Sequence, residues 1–130
     1  MSKLEMWLPI EGYEEFYEVS DLGRVKQLEA WRYDNRIKED KYYEEKVLRQ
    51  HAVKSHGGKY GEYMTVTLTN EEGKRAKLYV HSLVAKAFCD KPRGYKTEVN
   101  HIDRDKKNND SRNLEWVTHK ENAYHWMLDS

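Results

Sequence analysis

Two short strand-forming runs, Glu98 to Ile102 and Leu114 to Thr118, flank a stretch rich in Asn, Asp and Lys. The second run passes directly into Thr118-His119-Lys120-Glu121. Thr followed three residues later by Glu is a capping box, because each side chain can bond a backbone N–H that the first helical turn leaves orphaned. The order is therefore strand, loop, strand, helix, with the helix running from Thr118 to about Leu128 and Ala123, Trp126 and Met127 available for packing. Within it, His101, Asn113 and Asn122 stand 12 and then 9 positions apart. Such an arrangement can set a base on one strand, a brace in the loop, and a ligand on a helix facing the base.

The rest of the chain bounds what such a finger is attached to. A length of 130 residues suits one domain or a compact core with a smaller appendage. Formal net charge is zero, yet the charge is uneven: residues 49–98 carry 10 basic and 5 acidic side chains, while residues 1–48 carry 8 and 12. A basic middle suits contact with a polyanion; scattered surface charge is the plainer reading. The single Cys89 excludes an intrachain disulfide and a Cys-based zinc site. No run is long and apolar enough to span a membrane, and the N-terminus has no secretory h-region, so an intracellular chain with no membrane partner is expected.

Upstream of the finger, Tyr17, Val19 and Val25 flank Ser20-Asp21-Leu22-Gly23, which is turn chemistry and predicts a hairpin. Residues 29–46 are charged and aromatic without a period, and read as an irregular insertion. A short strand is expected near residues 47–50, and a turn at His56-Gly57-Gly58-Lys59. Tyr63 to Thr69 alternates strictly, with Met64, Val66 and Leu68 on one face and Tyr63 and three threonines on the other. Asn70-Glu71-Glu72-Gly73 turns the chain and residues 75–80 return it. The threonine face, with basic neighbours, suits either a phosphate backbone or plain solvent. Leu83, Val84, Ala87 and Phe88 then share one face of a helix for which Ser82 is the expected cap, with Pro92 and Gly94 ending it.

Phosphodiester cleavage needs a base for water, a cation to stabilise charge on the phosphate and leaving oxygen, and rigid positioning. His101 is the candidate base, because an imidazole titrates near neutrality. One ring nitrogen must be held so that the other is aimed, a service a neighbouring backbone carbonyl can provide. Asn100 and Asn122 offer hard amide oxygens of the kind Mg²⁺ or Mn²⁺ accepts. Alternation along a strand points Asn100 and His101 to opposite sides, so both serve one site only where the strand ends or twists. Asn113 can donate and accept at once, and so can pin the loop near His101. Plainer readings stand beside these. Asn108, Asn109 and Asn113 are ordinary turn residues; Asp103 and Asp105 are solvent-facing charges as readily as a cation site. His81 reads better as a core histidine at a helix entry than as a catalytic group, and His119 and His125 as surface or packing residues.

Taken together, Val80-His81-Ser82-Leu83-Val84-Ala85-Lys86-Ala87-Phe88, Val99-Asn100-His101-Ile102-Asp103, Asn108-Asn109, Asn113-Leu114-Glu115-Trp116-Val117-Thr118 and Glu121-Asn122 closely resemble the HNH endonucleases of the phage and intron-encoded homing type. Trp7, Ile10-Glu11-Gly12-Tyr13-Glu14 and Tyr17 to Lys26 are similar to a small module that often precedes such nucleases. The resemblance implies an α+β fold, with N-terminal antiparallel hairpins followed by a ββα-metal core. It divides the chain into a module over residues 1–50 and a nuclease core with its preceding hairpin over 51–130. It implies a divalent-metal DNA endonuclease, using Mg²⁺ or Mn²⁺, that nicks double-stranded DNA to a 5′-phosphate and a 3′-hydroxyl. His101 falls on the general base, Asn113 on the loop-bracing Asn, and Asn100 and Asn122 on the metal ligands. The family often has Asp where this chain has Asn100, and a neutral amide binds a cation less strongly. A catalytically idle DNA-binding module on the same scaffold is the alternative, and an interaction domain using exposed Trp and Tyr a third reading. A nick needs only a monomer, and the cytoplasm of a bacterium or phage-infected cell is the expected setting. Larger relatives continue into a C-terminal DNA-reading domain; this chain stops after the nuclease helix, so weaker long-site specificity is expected.

Overall fold

The computed structural model describes residues 4–54, 61–90, 98–118 and 120–121. Eleven strands, one α-helix and one 3-10 turn lie within them. The expected turn at His56 to Lys59, the helix stop at Pro92 and Gly94, and the helix beyond Glu121 with Asn122 lie outside the described residues.

Strands β1 (Trp7–Pro9), β2 (Tyr17–Ser20) and β3 (Val25–Gln27) form an antiparallel meander, extended by β6 (Lys46–Val47). Tyr17, Val19 and Val25 are buried, as period-2 alternation requires of one sheet face. The turn between β2 and β3 is held by the Ser20 hydroxyl, which accepts from the N–H groups of Leu22 and Arg24 at 3.2 and 3.0 Å.

Residues 29–46 are not irregular. They form a two-stranded hairpin, β4 (Ala30–Asp34) against β5 (Glu39–Tyr43), ahead of β6. The pattern hid this because its polarity is inverted: Arg32 and Asp34 are buried while Trp31 and Tyr33 are exposed. The Arg32 guanidinium donates to the Tyr17 hydroxyl at 3.1 Å and to the Thr69 carbonyl at 2.6 Å, tying the hairpin to both neighbouring sheets.

A second sheet runs β7 (His51–Lys54), β8 (Glu62–Thr69), β9 (Arg75–Tyr79), with β8 central. Val66 and Leu68 are fully buried, as expected. The opposite face is not uniformly solvated, because Thr65 is buried and its hydroxyl donates to the His51 carbonyl at 2.9 Å. Strand β9 enters helix α1 (Val80–Phe88) with no loop, and the N-cap Tyr79 makes no side-chain cap bond. The helix therefore starts ahead of Ser82, the expected cap. Burial of Val80, Leu83 and Val84 outweighs the missing cap: each such side chain is worth roughly 2 kcal/mol, against about 1 kcal/mol for a cap.

Helix α1 touches β2, β8, β9 and the finger that follows. The finger pairs β10 (Glu98–His101) with β11 (Leu114–Val117) in the register Asn100↔Glu115 and His101↔Leu114. The capping box is present, with the Glu121 N–H donating to the Thr118 hydroxyl at 3.0 Å and the Thr118 N–H to the Glu121 carboxylate at 3.1 Å. One apolar cluster holds Ile10, Tyr17, Val19 and Val25 together with Val66, Leu68, Val80, Val84 and Leu114, so the core runs across residue 50 without a break.

Candidate active site

His101 is the last residue of β10, and the chain turns immediately after it, with the Arg104 N–H donating to the His101 carbonyl at 2.9 Å. Its imidazole is 1% exposed. The Nε2 atom lies 2.8 Å from Oδ1 of Asn109. An amide oxygen only accepts, so the proton sits on Nε2 and the basic lone pair of the neutral ring is on Nδ1. The orienting group is thus a side-chain carbonyl from the loop rather than a backbone carbonyl. Asn109 is buried, and its assignment as an ordinary turn residue does not describe it.

Two aromatic rings lie against this imidazole. His81, near the start of α1, meets it edge-on with ring centroids 5.2 Å apart, and Tyr63 of β8 lies 5.2 Å from His81 and 6.2 Å from His101. Tyr79 stacks on His81 at 5.2 Å. Nδ1 of His81 is buried with no hydrogen-bond partner among the described residues. Lys106, also buried, sets its ammonium 5.9 Å from the Tyr63 ring centre. These surroundings favour neutral imidazoles. Burial, then His101 and then Lys106 push His81 down to about 3. Burial lowers His101 too, opposed by the Asn109 bond and assisted by Lys106.

Asn113 fastens the loop to the strands. Its Oδ1 accepts from the Asp103 N–H at 3.0 Å, and its Nδ2 donates to the Asp103 carboxylate at 2.9 Å and to the Asn108 carbonyl at 2.8 Å. Asp103 also accepts from Nδ2 of Asn108 and from the Asp105 N–H, both at 2.8 Å. Those donors, the Asn108 side chain above all, hold its carboxyl below the usual range. Asp103 is a strut of the loop, and its oxygens are spoken for.

Asn100 is buried, and its Nδ2 donates to the Glu115 carboxylate directly across the finger at 2.9 Å. The pairing stays regular as far as His101, where β10 ends and the chain turns, the kind of strand end at which Asn100 and His101 can serve one site. No group of three or more His, Cys, Asp or Glu poised to hold a metal occurs among the described residues. The donor chemistry at Asn100 nevertheless suits a hard cation: Glu115 occupies the amide nitrogen, which leaves Oδ1 as the donor, with a carboxylate beside it. Asn122, the other expected ligand, lies outside the described residues.

The sequence singled out His101, Asn113 and Asn100, which the structure places on one finger; it did not single out Asn109, Lys106 or Tyr63 near that imidazole, and it read His81 as a core histidine. The signal for His81 was present, since it follows a strand at a fixed place in the Val80 to Phe88 motif. Asn109 and Lys106 sit in a loop whose composition looks like any polar turn.

Residues 5–69 match the NUMOD4 motif and residues 78–124 match an HNH endonuclease family. The chain is similar to an HNH endonuclease of Acanthamoeba polyphaga mimivirus, 35% identical over 126 residues, which cover 95% of this chain and 26% of that protein. It is 34% identical over 123 residues to the DNA endonuclease I-HmuI of Bacillus phage SP01, covering 93% of this chain and 57% of that one. A solved structure described as DNA binding and cleavage by the HNH homing endonuclease I-HmuI matches with a TM-score of 0.70 at 31% identity, over 95% of this chain and 59% of that chain. The chain therefore spans less than two thirds of the length of these relatives.

Proposed function

This chain belongs to the HNH endonuclease family, with a NUMOD4 motif ahead of the nuclease residues, and we propose that it is a divalent-metal-dependent DNA endonuclease that nicks one strand of a duplex. The observation that carries the reading is the tautomer lock on His101. A base must be neutral at working pH and aimed, and burial supplies the first condition while Asn109 supplies the second.

In this reading, Nδ1 of His101 takes a proton from water as the water oxygen attacks phosphorus. The imidazolium that forms keeps its Nε2–H on Asn109, a bond that favours the charged ring and so assists the transfer. Asn113 keeps the loop, and with it Asn109, in register with the strands. Asn100 through Oδ1, together with Asn122, would hold Mg²⁺ or Mn²⁺, which when bound stabilises charge on the phosphate and the departing 3′-oxygen. The products are a 5′-phosphate and a 3′-hydroxyl. The partner is double-stranded DNA met by a monomer in the cytoplasm of a bacterium or phage-infected cell. No described helix is long and apolar enough to cross a membrane.

Incubation of supercoiled plasmid with the protein and Mg²⁺ tests this. Conversion to open circles that stops with chelator and returns with excess Mg²⁺ supports the reading. Absence of nicking under conditions where the protein binds duplex overturns it.

A further inference from the structure

We propose that Gly23, in the N-terminal module, is a positioning residue for the proposed base: its turn fixes Asn109 and through it the ring of His101. The inference rests on the nuclease reading for its functional consequence, and on contacts alone for its structural part.

Gly23 occupies the turn between β2 and β3 at φ +92°, a conformation that L side chains rarely adopt. Space is the tighter restraint. A Cβ at this position would lie 2.9 Å from both Cβ and the carbonyl oxygen of Asn109, and 3.1 Å from its carbonyl carbon. The turn therefore lies flat against the backbone of the residue that accepts from His101. Neighbouring bonds lock the two together. The Ser111 N–H, two residues past Asn109, donates to the Asp21 carbonyl at 2.7 Å. On the other side, Nε2 of Gln50 donates to the Gly23 carbonyl at 2.8 Å, and the Asp21 carboxylate accepts from the Met6 N–H at 2.9 Å. Ser20, Asp21 and Asn109 are all buried, so this is an interior joint. A glycine here lets the module approach close enough to set where the Asn109 backbone lies. A displacement of that backbone by the width of a methyl group carries the Asn109 side chain with it, which breaks the 2.8 Å bond between its Oδ1 and Nε2 of His101 and frees the ring to change tautomer.

Gly12 supplies the internal control. It has nearly the same backbone angle, φ +86°, but a Cβ there would meet nothing within 4 Å among the described residues. Gly12→Ala and Gly23→Ala thus impose the same backbone strain, and only the second pushes on Asn109. We would record the ring nitrogen signals of His101 by ¹⁵N NMR at fixed neutral pH, and single-turnover nicking, in both variants. The expectation is that Gly23→Ala displaces or broadens the Nε2–H signal and slows nicking about 10- to 100-fold, while duplex affinity stays within about twofold. Gly12→Ala should leave signal and rate as in the wild type. In an Asn109→Ala background, Gly23→Ala should cost no further rate, because both act through one contact. If Gly23→Ala does not fold, Gln50→Ala loosens the same turn without adding an atom, and the same spectral change is expected. A wild-type His101 signal in Gly23→Ala, or in Gln50→Ala where the first does not fold, would overturn the proposal. So would an equal change in Gly12→Ala. The spectrum reads the joint whether or not the protein cuts DNA, so failure of the nuclease reading and failure of this inference are separate results.

Discussion

Asn100 is the residue whose expected behaviour the fold alters most. From sequence it is a weakened metal ligand beside the base; in the structure it is also the donor that satisfies Glu115 across the finger. Asn100→Asp would remove that donated bond and set two carboxylates face to face, a repulsive pair until a cation lies between them. We expect Asn100→Asp to melt lower than the wild type in chelator and to gain more melting temperature from added Mg²⁺, with activity at low Mg²⁺ kept or raised. A thermal melt with and without Mg²⁺ checks this; equal Mg²⁺ responses in the two proteins would remove Asn100 from the proposed ligand set. His101 and Asn113 were legible at this scale because their order and spacing repeat a known pattern. Asn109 was not, because nothing in an Asn-rich loop marks which amide is buried against an imidazole.

At the scale of elements, the finger depends on its loop, and the loop depends on Asn113. Three side-chain hydrogen bonds from this one amide join Asp103 and Asn108 to the start of β11. At about 1 kcal/mol net for each bond, and with some exposure of the group, Asn113→Ala should destabilise the protein by about 2 kcal/mol. It should also slow nicking at least about 10-fold, since Asn109 rides on the same loop. Chemical denaturation and single-turnover nicking measure the two effects; a stable variant with wild-type rates would show that the brace is dispensable. Elements with strong local signals were legible: the alternating β8, the β2–β3 hairpin and the Thr118 capping box. The β4–β5 hairpin was not, because its buried positions are Arg32 and Asp34 and its large aromatics face out, so a hydrophobic period does not exist there. The start of α1 was misplaced for a related reason: a continuous strand-to-helix passage needs no cap, and burial of Val80 decides the boundary.

For the whole molecule, two neutral histidines buried side by side make stability depend on pH. The folded values of His81 and His101 are lowered, chiefly by burial, and His81 lies at about 3. Below about pH 6.5 the unfolded chain binds protons that the folded chain refuses. Their contribution is therefore complete above that pH and decays as pH falls toward the folded values, by up to about 1.4 kcal/mol per pH unit for each group. Denaturant titrations at about pH 7 and about pH 5 should show lower stability at the acidic end, with a shallower slope in His81→Phe. A slope unchanged in that variant would mean His81 is protonated in the fold. The shared core and the Gly23 joint also make the N-terminal meander part of the machinery that holds the site, a connection invisible to a sequence read segment by segment, because the two touching residues are 86 positions apart.

The central claim is that His101 is the base, and the most direct measurement is single-turnover cleavage of a duplex by the wild type and by His101→Ala, with duplex affinity and melting temperature measured on the same samples. The account predicts a loss of about 10²- to 10⁴-fold in rate with affinity retained and the protein folded. A folded His101→Ala protein that cuts at the wild-type rate would contradict it.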